Sequence, residues 1–154
     1  MVFAANFSEK TPVWRCLFVK LADISVKLRA PFLQAKIVAA IPGFTDTELW
    51  VVRSAVNERY GREIKIDLAD TELPLEPAAA TLAVCPSLYW AERGANFVIS
   101  KVGGNAYRCQ FFYSVREQYG TGRETYTDLG DCVQRLLQAQ ADHERDRGLN
   151  GQDR

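Results

Sequence analysis

The chain has 154 residues, 47% of them hydrophobic and 25% charged, with 19 Lys and Arg against 19 Asp and Glu. This is ordinary globular composition, long enough to bury a core without a disulfide or a metal. The charge balance argues against a general polyanion binder, whose electrostatic footprint is strongly basic.

Charge does segregate locally. Residues 12–36 hold Arg15, Lys20, Lys27, Arg29 and Lys36 against Asp23, a net +4, and residues 46–76 hold eight acids against four bases, a net −4. Residues 93–123 return to +4 and residues 124–146 to −4. Such blocks form solvated faces or meet within one fold, and complementary patches also permit self-association. Cys16, Cys85, Cys109 and Cys132 are widely separated, with no CxxC pair, and read as reduced core or half-buried thiols. There is no charged leader followed by a long apolar stretch, and runs such as Ile37 to Ile41 are too short to span a bilayer. The expectation is a cytoplasmic protein without a membrane partner.

In chain order, Pro12 to Arg29 reads as an amphipathic helix. Trp14, Leu17, Phe18, Leu21, Ile24, Ser25 and Leu28 share one face, and Thr11 stands where a cap belongs. The alternation of Ile24, Val26 and Leu28 leaves a strand as the rival reading. Pro31 to Ile41, apolar on nearly all sides, suits a short buried helix ending at Pro42-Gly43. Thr45-Asp-Thr-Glu48 is a capping box, with Leu49, Val52, Val56 and Tyr60 on one helical face and Gly61 at the C-terminal cap. Residues 62–68 alternate as a strand through Ile64, Ile66 and Leu68. The stretch 72–85, with Pro74, Pro77 and a run of alanines, reads as a connection.

From Ala95 a hairpin is expected, two β-rich runs around Gly103-Gly104-Asn105. Tyr107, Cys109, Phe111 and Tyr113 fall on one face of its second strand, and Arg108, Gln110 and Phe112 on the other. A short third strand is expected at 124–127. Thr127 or Asp128 then caps a last helix lined by Leu129, Cys132, Val133, Leu136, Leu137 and Gln140. The fold class that follows is α+β. A helical N-terminal part packs with a small antiparallel sheet and a C-terminal helix, as one domain over residues 1–146. A subdomain boundary could fall near 77–86, and 147–154 reads as a disordered tail.

Functional signals are sparse. Residues 31–60 have helix-turn-helix spacing, but the leading turn of the second helix carries Asp46 and Glu48, which repel phosphate. His143 is the only histidine, and nothing in the sequence brings it to Cys85 or another thiol. Asp67, Asp70 and Glu72 do not match a metal-loop spacing, and Gly103-Gly104 and Gly120-Thr121-Gly122 match no phosphate loop. No cofactor, metal site or catalytic residue is expected.

The clearest concentration lies between Tyr89 and Tyr126, which hold nine of the seventeen aromatics beside the second basic window. Aromatics interleaved with Arg make protein hot spots, and on a sheet they also hold single-stranded nucleic acid. The residues this selects for partner binding are Arg108, Gln110, Phe112, Arg116, Tyr119 and Arg123. The sequence reading is a non-enzymatic binding or adaptor protein that recognises another protein or itself. The alternatives are a nucleic-acid-binding regulator using 31–60 or the hairpin 95–116, and a small enzyme built on scattered carboxylates or Cys85.

Overall fold

The computed structural model describes residues 41–75 and 82–151, so the two helices expected within residues 12–41 lie outside the described residues, apart from Ile41. Helix α1 (Asp46–Tyr60) starts where the capping box places it. Thr45 Oγ1 accepts from Glu48 N at 3.2 Å, and the Glu48 carboxylate accepts from Thr45 N at 2.7 Å. It ends at Gly61, whose φ of 66° is the left-handed cap that favours glycine.

Five strands follow as an antiparallel meander in the order β1 (Asp67–Leu73), β2 (Ala83–Glu92), β3 (Ala95–Gly103), β4 (Ala106–Ser114) and β5 (Glu117–Gly120). Arg93 and Gly94 join β2 to β3 with φ of 51° and 78°, the positive values a two-residue hairpin loop with native twist requires. Gly104 and Asn105 join β3 to β4 at the turn the sequence marks. Helix α2 (Leu129–Gly151) is capped by Asp128, whose Oδ1 accepts from Asp131 N at 2.7 Å.

The α+β architecture is as expected from sequence, with corrections in four places. The strand read at 62–68 begins at Asp67. Ile64 is instead drawn into the core, and its N–H is taken by Asn57 Oδ1 at 2.8 Å rather than by a neighbouring strand. The connection read at 72–85 is mostly strand at its ends, since pairing runs from Asp67↔Tyr89 to Leu73↔Ala83. The third strand of the hairpin region lies at Glu117–Gly120, not at 124–127. There only Tyr126 bridges to Tyr107, which places Tyr126 in the core. Residues 147–151 continue α2 instead of fraying.

Because side chains alternate along a strand, register assigns the two faces. Leu88 and Trp90, Phe97 and Ile99, and Tyr107, Cys109 and Phe111 point to one side. There they meet Val52 and Val56 of α1 and Leu129, Cys132, Val133, Leu136 and Leu137 of α2. Trp90 stacks on Phe97 with ring centres 5.1 Å apart. Both helices therefore lie on one face of the sheet, as the apolar stripes of two helices and one sheet require.

Candidate interaction surface

The other, outward face is less exposed than its polar composition suggests. Thr71, Ser87 and Ser100 form a hydroxyl triangle across β1, β2 and β3, with edges of 2.7, 2.8 and 3.0 Å. Beside it lies Arg108, only 5% exposed. Its guanidinium donates to Pro74 O at 2.8 Å and Leu75 O at 3.2 Å, and pairs with Glu124 at 3.2 Å. β4 and β1 are three strand spacings apart, about 14 Å. Arg108 can reach Pro74 only because the chain leaving β1 turns back across this face. Further along, Asn96 accepts from the Tyr89 hydroxyl at 2.7 Å and donates to Phe112 O at 3.3 Å.

The six residues selected from sequence are consequently not one patch. Arg108 is buried, with its two terminal nitrogens engaged by carbonyls and Glu124 and its Nε left without a hydrogen-bond partner. Gln110 and Phe112 share its face and are half-buried. Arg116 is exposed in the β4–β5 turn, where its N–H donates to Ser114 Oγ. Tyr119 points to the helix side, because the register sets it opposite Phe111. Arg123 is exposed, pairs with Asp131 at 3.2 Å and lies over the Tyr126 ring.

On the helix side, one buried polar cluster is bound into the fold, while Trp90 Nε1 and His143 Nδ1 are buried without a hydrogen-bond partner. Lys101, on β3, donates to both Glu48 oxygens, at 2.9 and 3.0 Å, and to Gly43 O at 3.3 Å. The Tyr107 hydroxyl also donates to Glu48. Burial pushes the Glu48 carboxyl up, but the bonds from Thr45 N, Tyr107 and Lys101 outweigh it and hold the group at about 2. Burial and the bond to Glu48 raise the Tyr107 hydroxyl far above its usual range. Two of the thiols, Cys109 and Cys132, lie together, and that contact with burial pushes Cys132 well up; burial raises Cys85 too. A raised thiol is a poor nucleophile at neutral pH.

His143 stands in an aromatic nest. Its ring centre is 4.1 Å from Tyr119, 5.5 Å from Tyr113 and 5.7 Å from Phe111. Burial lowers its pKa below the usual 6.5, and Arg147, seated over the Tyr113 ring, adds to this against Asp146, Glu117 and Glu144. A base held neutral in the folded state is protonated first in the unfolded one. Stability is therefore expected to be full above about pH 6.5 and to fall as pH drops from there toward the folded-state pKa. The check is the urea midpoint measured down this range. His143→Gln should flatten that slope, and an unchanged slope would contradict the assignment.

Among the described residues, large apolar side chains are left uncovered at Val115 in the β4–β5 turn, on α1 and along the β1–β2 edge. The helix-facing positions of β1 are Leu68, Asp70 and Glu72, paired with Leu88, Pro86 and Val84 of β2. Leu88 is fully buried, but Leu68 is 66% exposed and Val84 60%, so coverage by α1 stops between β2 and β1. Leu82, just before β2, is 45% exposed. On α1, Asn57 reaches Ile64 on the approach to β1. Trp50 lies two turns earlier on that same stripe and is 67% exposed. Leu82, Val84 and Leu68 thus line the uncovered β1–β2 edge as an interrupted strip: Leu68 and Val84 stand four residues apart along the ladder, about 14 Å, with Pro86 and the exposed carboxylates Asp70 and Glu72 among them.

Sequence reasoning missed this strip because Leu68 continues the alternation of Ile64 and Ile66, which read as one buried face. Among the described residues no helix is long and apolar enough to cross a membrane, and no three His, Cys, Asp or Glu side chains are grouped to hold a metal ion. Compared with known proteins, the chain matches no family model, no curated protein and no solved structure.

Proposed function

We propose that this chain is a binding or adaptor protein that acts through protein–protein contacts. Its contact surface is the uncovered β1–β2 edge that carries Leu68, Val84 and Leu82 with Asp70 and Glu72. The observation that carries the reading is the exposure of Leu68 and Val84 on the very face that elsewhere forms the core. Exposed apolar clusters with a polar rim mark interaction sites, and burying one such side chain contributes roughly 1.5–3 kcal/mol. Asp70 and Glu72 set the partner's chemistry: an amphipathic segment with apolar residues for the strip and Lys or Arg for the carboxylates. This moves the contact away from Arg108 and Tyr119, whose side chains serve the fold. In this reading the protein works in the cytoplasm, where buried thiols such as Cys109 and Cys132 stay reduced.

The test is affinity capture with the parent chain and with the double variant Leu68→Glu, Val84→Glu. Both positions are exposed, so the variant should unfold within about 1 kcal/mol of the parent. The parent is expected to retain a defined protein partner through washing, and the variant to lose it. Equal capture by both chains would exclude the strip, and no specific capture by the parent would exclude the binding reading.

A further inference from the structure

We propose, resting on the binding reading above, that the partner adds to the outer edge of β1 as a sixth, antiparallel strand. Read along the partner's own chain, that strand is basic, any, basic, any, apolar. Its bases lie opposite Glu72 and Asp70, and its apolar residue lies opposite Leu68.

The backbone selects an extended occupant. Among the described residues β1 pairs with β2 alone, and its seven register pairs from Asp67↔Tyr89 to Leu73↔Ala83 run without a bulge. In an antiparallel ladder every second residue turns its N–H and C=O away from the neighbouring strand, so β1 presents a row of donors and acceptors along its outer side. Of the devices that blunt such an edge, proline, lysine, bulges and very short strands are absent from β1, and only its carboxylates remain. The strand is also held in place. Thr71 is tied to Ser87 and Ser100 by the hydroxyl triangle, and Leu73 is buried. A regular edge of this kind takes an extended segment, since the backbone groups of a helix are already bonded within it.

Charge selects which segment. β1 and β2 together hold four acids and no base. Glu92 is paired with Arg62 and Asp67 with Lys65, while Asp70 and Glu72 are exposed and in no ion pair among the described residues. A second copy is a poor occupant. Full overlap of two antiparallel β1 strands centres on Asp70 and sets that carboxylate directly against its copy, which is destabilising. Lys or Arg at the same places turns that repulsion into attraction. Directly opposite residues share a face, so on the helix side an added strand in register meets Glu72, Asp70 and Leu68 in that order. Leu68 is 66% exposed there, which makes the third of these positions apolar.

The test is an NMR titration of the full, isotope-labelled chain with the synthetic peptide acetyl-Thr-Lys-Thr-Lys-Thr-Ile-Thr-amide. Amide signals of residues 67–73 should shift saturably, and those turned away from β2 should exchange with solvent on the order of tenfold more slowly in the complex. Two further peptides carry N-methyl groups on alternate residues, one in each phase. Side chains are the same in both, but only one phase blocks the amides that face β1. That phase should weaken binding on the order of tenfold or more, and the other should leave it nearly unchanged. Asp70→Lys with Glu72→Lys should abolish binding of the Lys peptide and restore it for a peptide with Glu in place of each Lys.

Unshifted 67–73 amides at about 2 mM peptide, where even a millimolar affinity registers, would overturn the proposal. So would equal weakening by both N-methyl phases, the result expected of a helical occupant, or unchanged binding to the charge-reversed chain. A doubled mass of the chain alone in light scattering, lost on Asp70→Lys with Glu72→Lys, would make the occupant a second copy and overturn it too. The two readings fail separately. A partner captured through Leu68 and Val84, with no peptide bound at β1 and no displacement of the partner by the peptide, sinks strand addition alone. Peptide bound at β1 with no protein captured sinks the adaptor function alone.

Discussion

Replacing Glu48 with alanine is expected to cost about 3–5 kcal/mol of folding free energy, the range for breaking a buried ion pair from one side. The size follows from what is left behind. The Lys101 side chain is 4% exposed, and without Glu48 its ammonium keeps Gly43 O and the face of Phe44 but no counter-charge among the described residues. Thr45 N and the Tyr107 hydroxyl lose their acceptor at the same time, which removes one of the two bonds of the α1 capping box. Breaking the pair from the other side should cost less. Lys101→Met leaves a carboxylate whose side chain is 16% exposed and still held by Thr45 and Tyr107. Tyr107→Phe should cost about 1 kcal/mol, the worth of one hydrogen bond. Urea unfolding reads all three, and the order Glu48→Ala, Lys101→Met, Tyr107→Phe is the sharper check.

The same constellation has a pH signature. The Glu48 carboxyl titrates at about 2 in the folded chain against an ordinary 4.5. Its stabilising contribution is therefore complete above pH 4.5 and is lost as pH falls from there through about 2. Glu48→Gln should remove most of that acid sensitivity, measured as the urea midpoint across the window. A parent and variant with parallel acid profiles would show that the carboxylate is not held as the geometry indicates.

Replacing Arg108 with glutamate should prevent stable folding, with a loss on the order of 4 kcal/mol or more. The substitution puts a buried carboxylate against Pro74 O and Leu75 O, two acceptors that cannot bond it, beside Glu124. Arg108→Met keeps an apolar stem without the guanidinium and leaves the two carbonyls without a donor, so a loss of roughly 1–3 kcal/mol is expected. Circular dichroism and urea midpoints separate these outcomes. A folded Arg108→Glu chain with parent-like stability would contradict the burial of Arg108. The consequence for binding is practical. Loss of a partner on changing Arg108 reports loss of the fold, whereas Leu68 and Val84 can be changed with the fold intact.

What the sequence determined by itself is local. The capping box at Thr45, Gly61 behind it, the Gly104–Asn105 turn between alternating apolar runs and the stripe from Leu129 to Gln140 each satisfy backbone or bury a face within a few residues. Each is found where short-range chemistry puts it. The strand boundaries around 64–73 and 117–126 were not legible, because pairing depends on which chain lies alongside. Ile64 goes to the core on the side chain of Asn57, and Tyr126 reaches Tyr107 from outside any strand.

The site residues divide the same way. Alternation assigned Arg108 and Phe112 to the outward face correctly, but it could not show that the chain after Leu73 folds back over Arg108. Nor could it show that register turns Tyr119 toward His143. Whether Leu68 is core or surface is settled by where α1 ends across the sheet. That is a long-range packing fact, because burial belongs to the assembled layers and not to the period of any one strand.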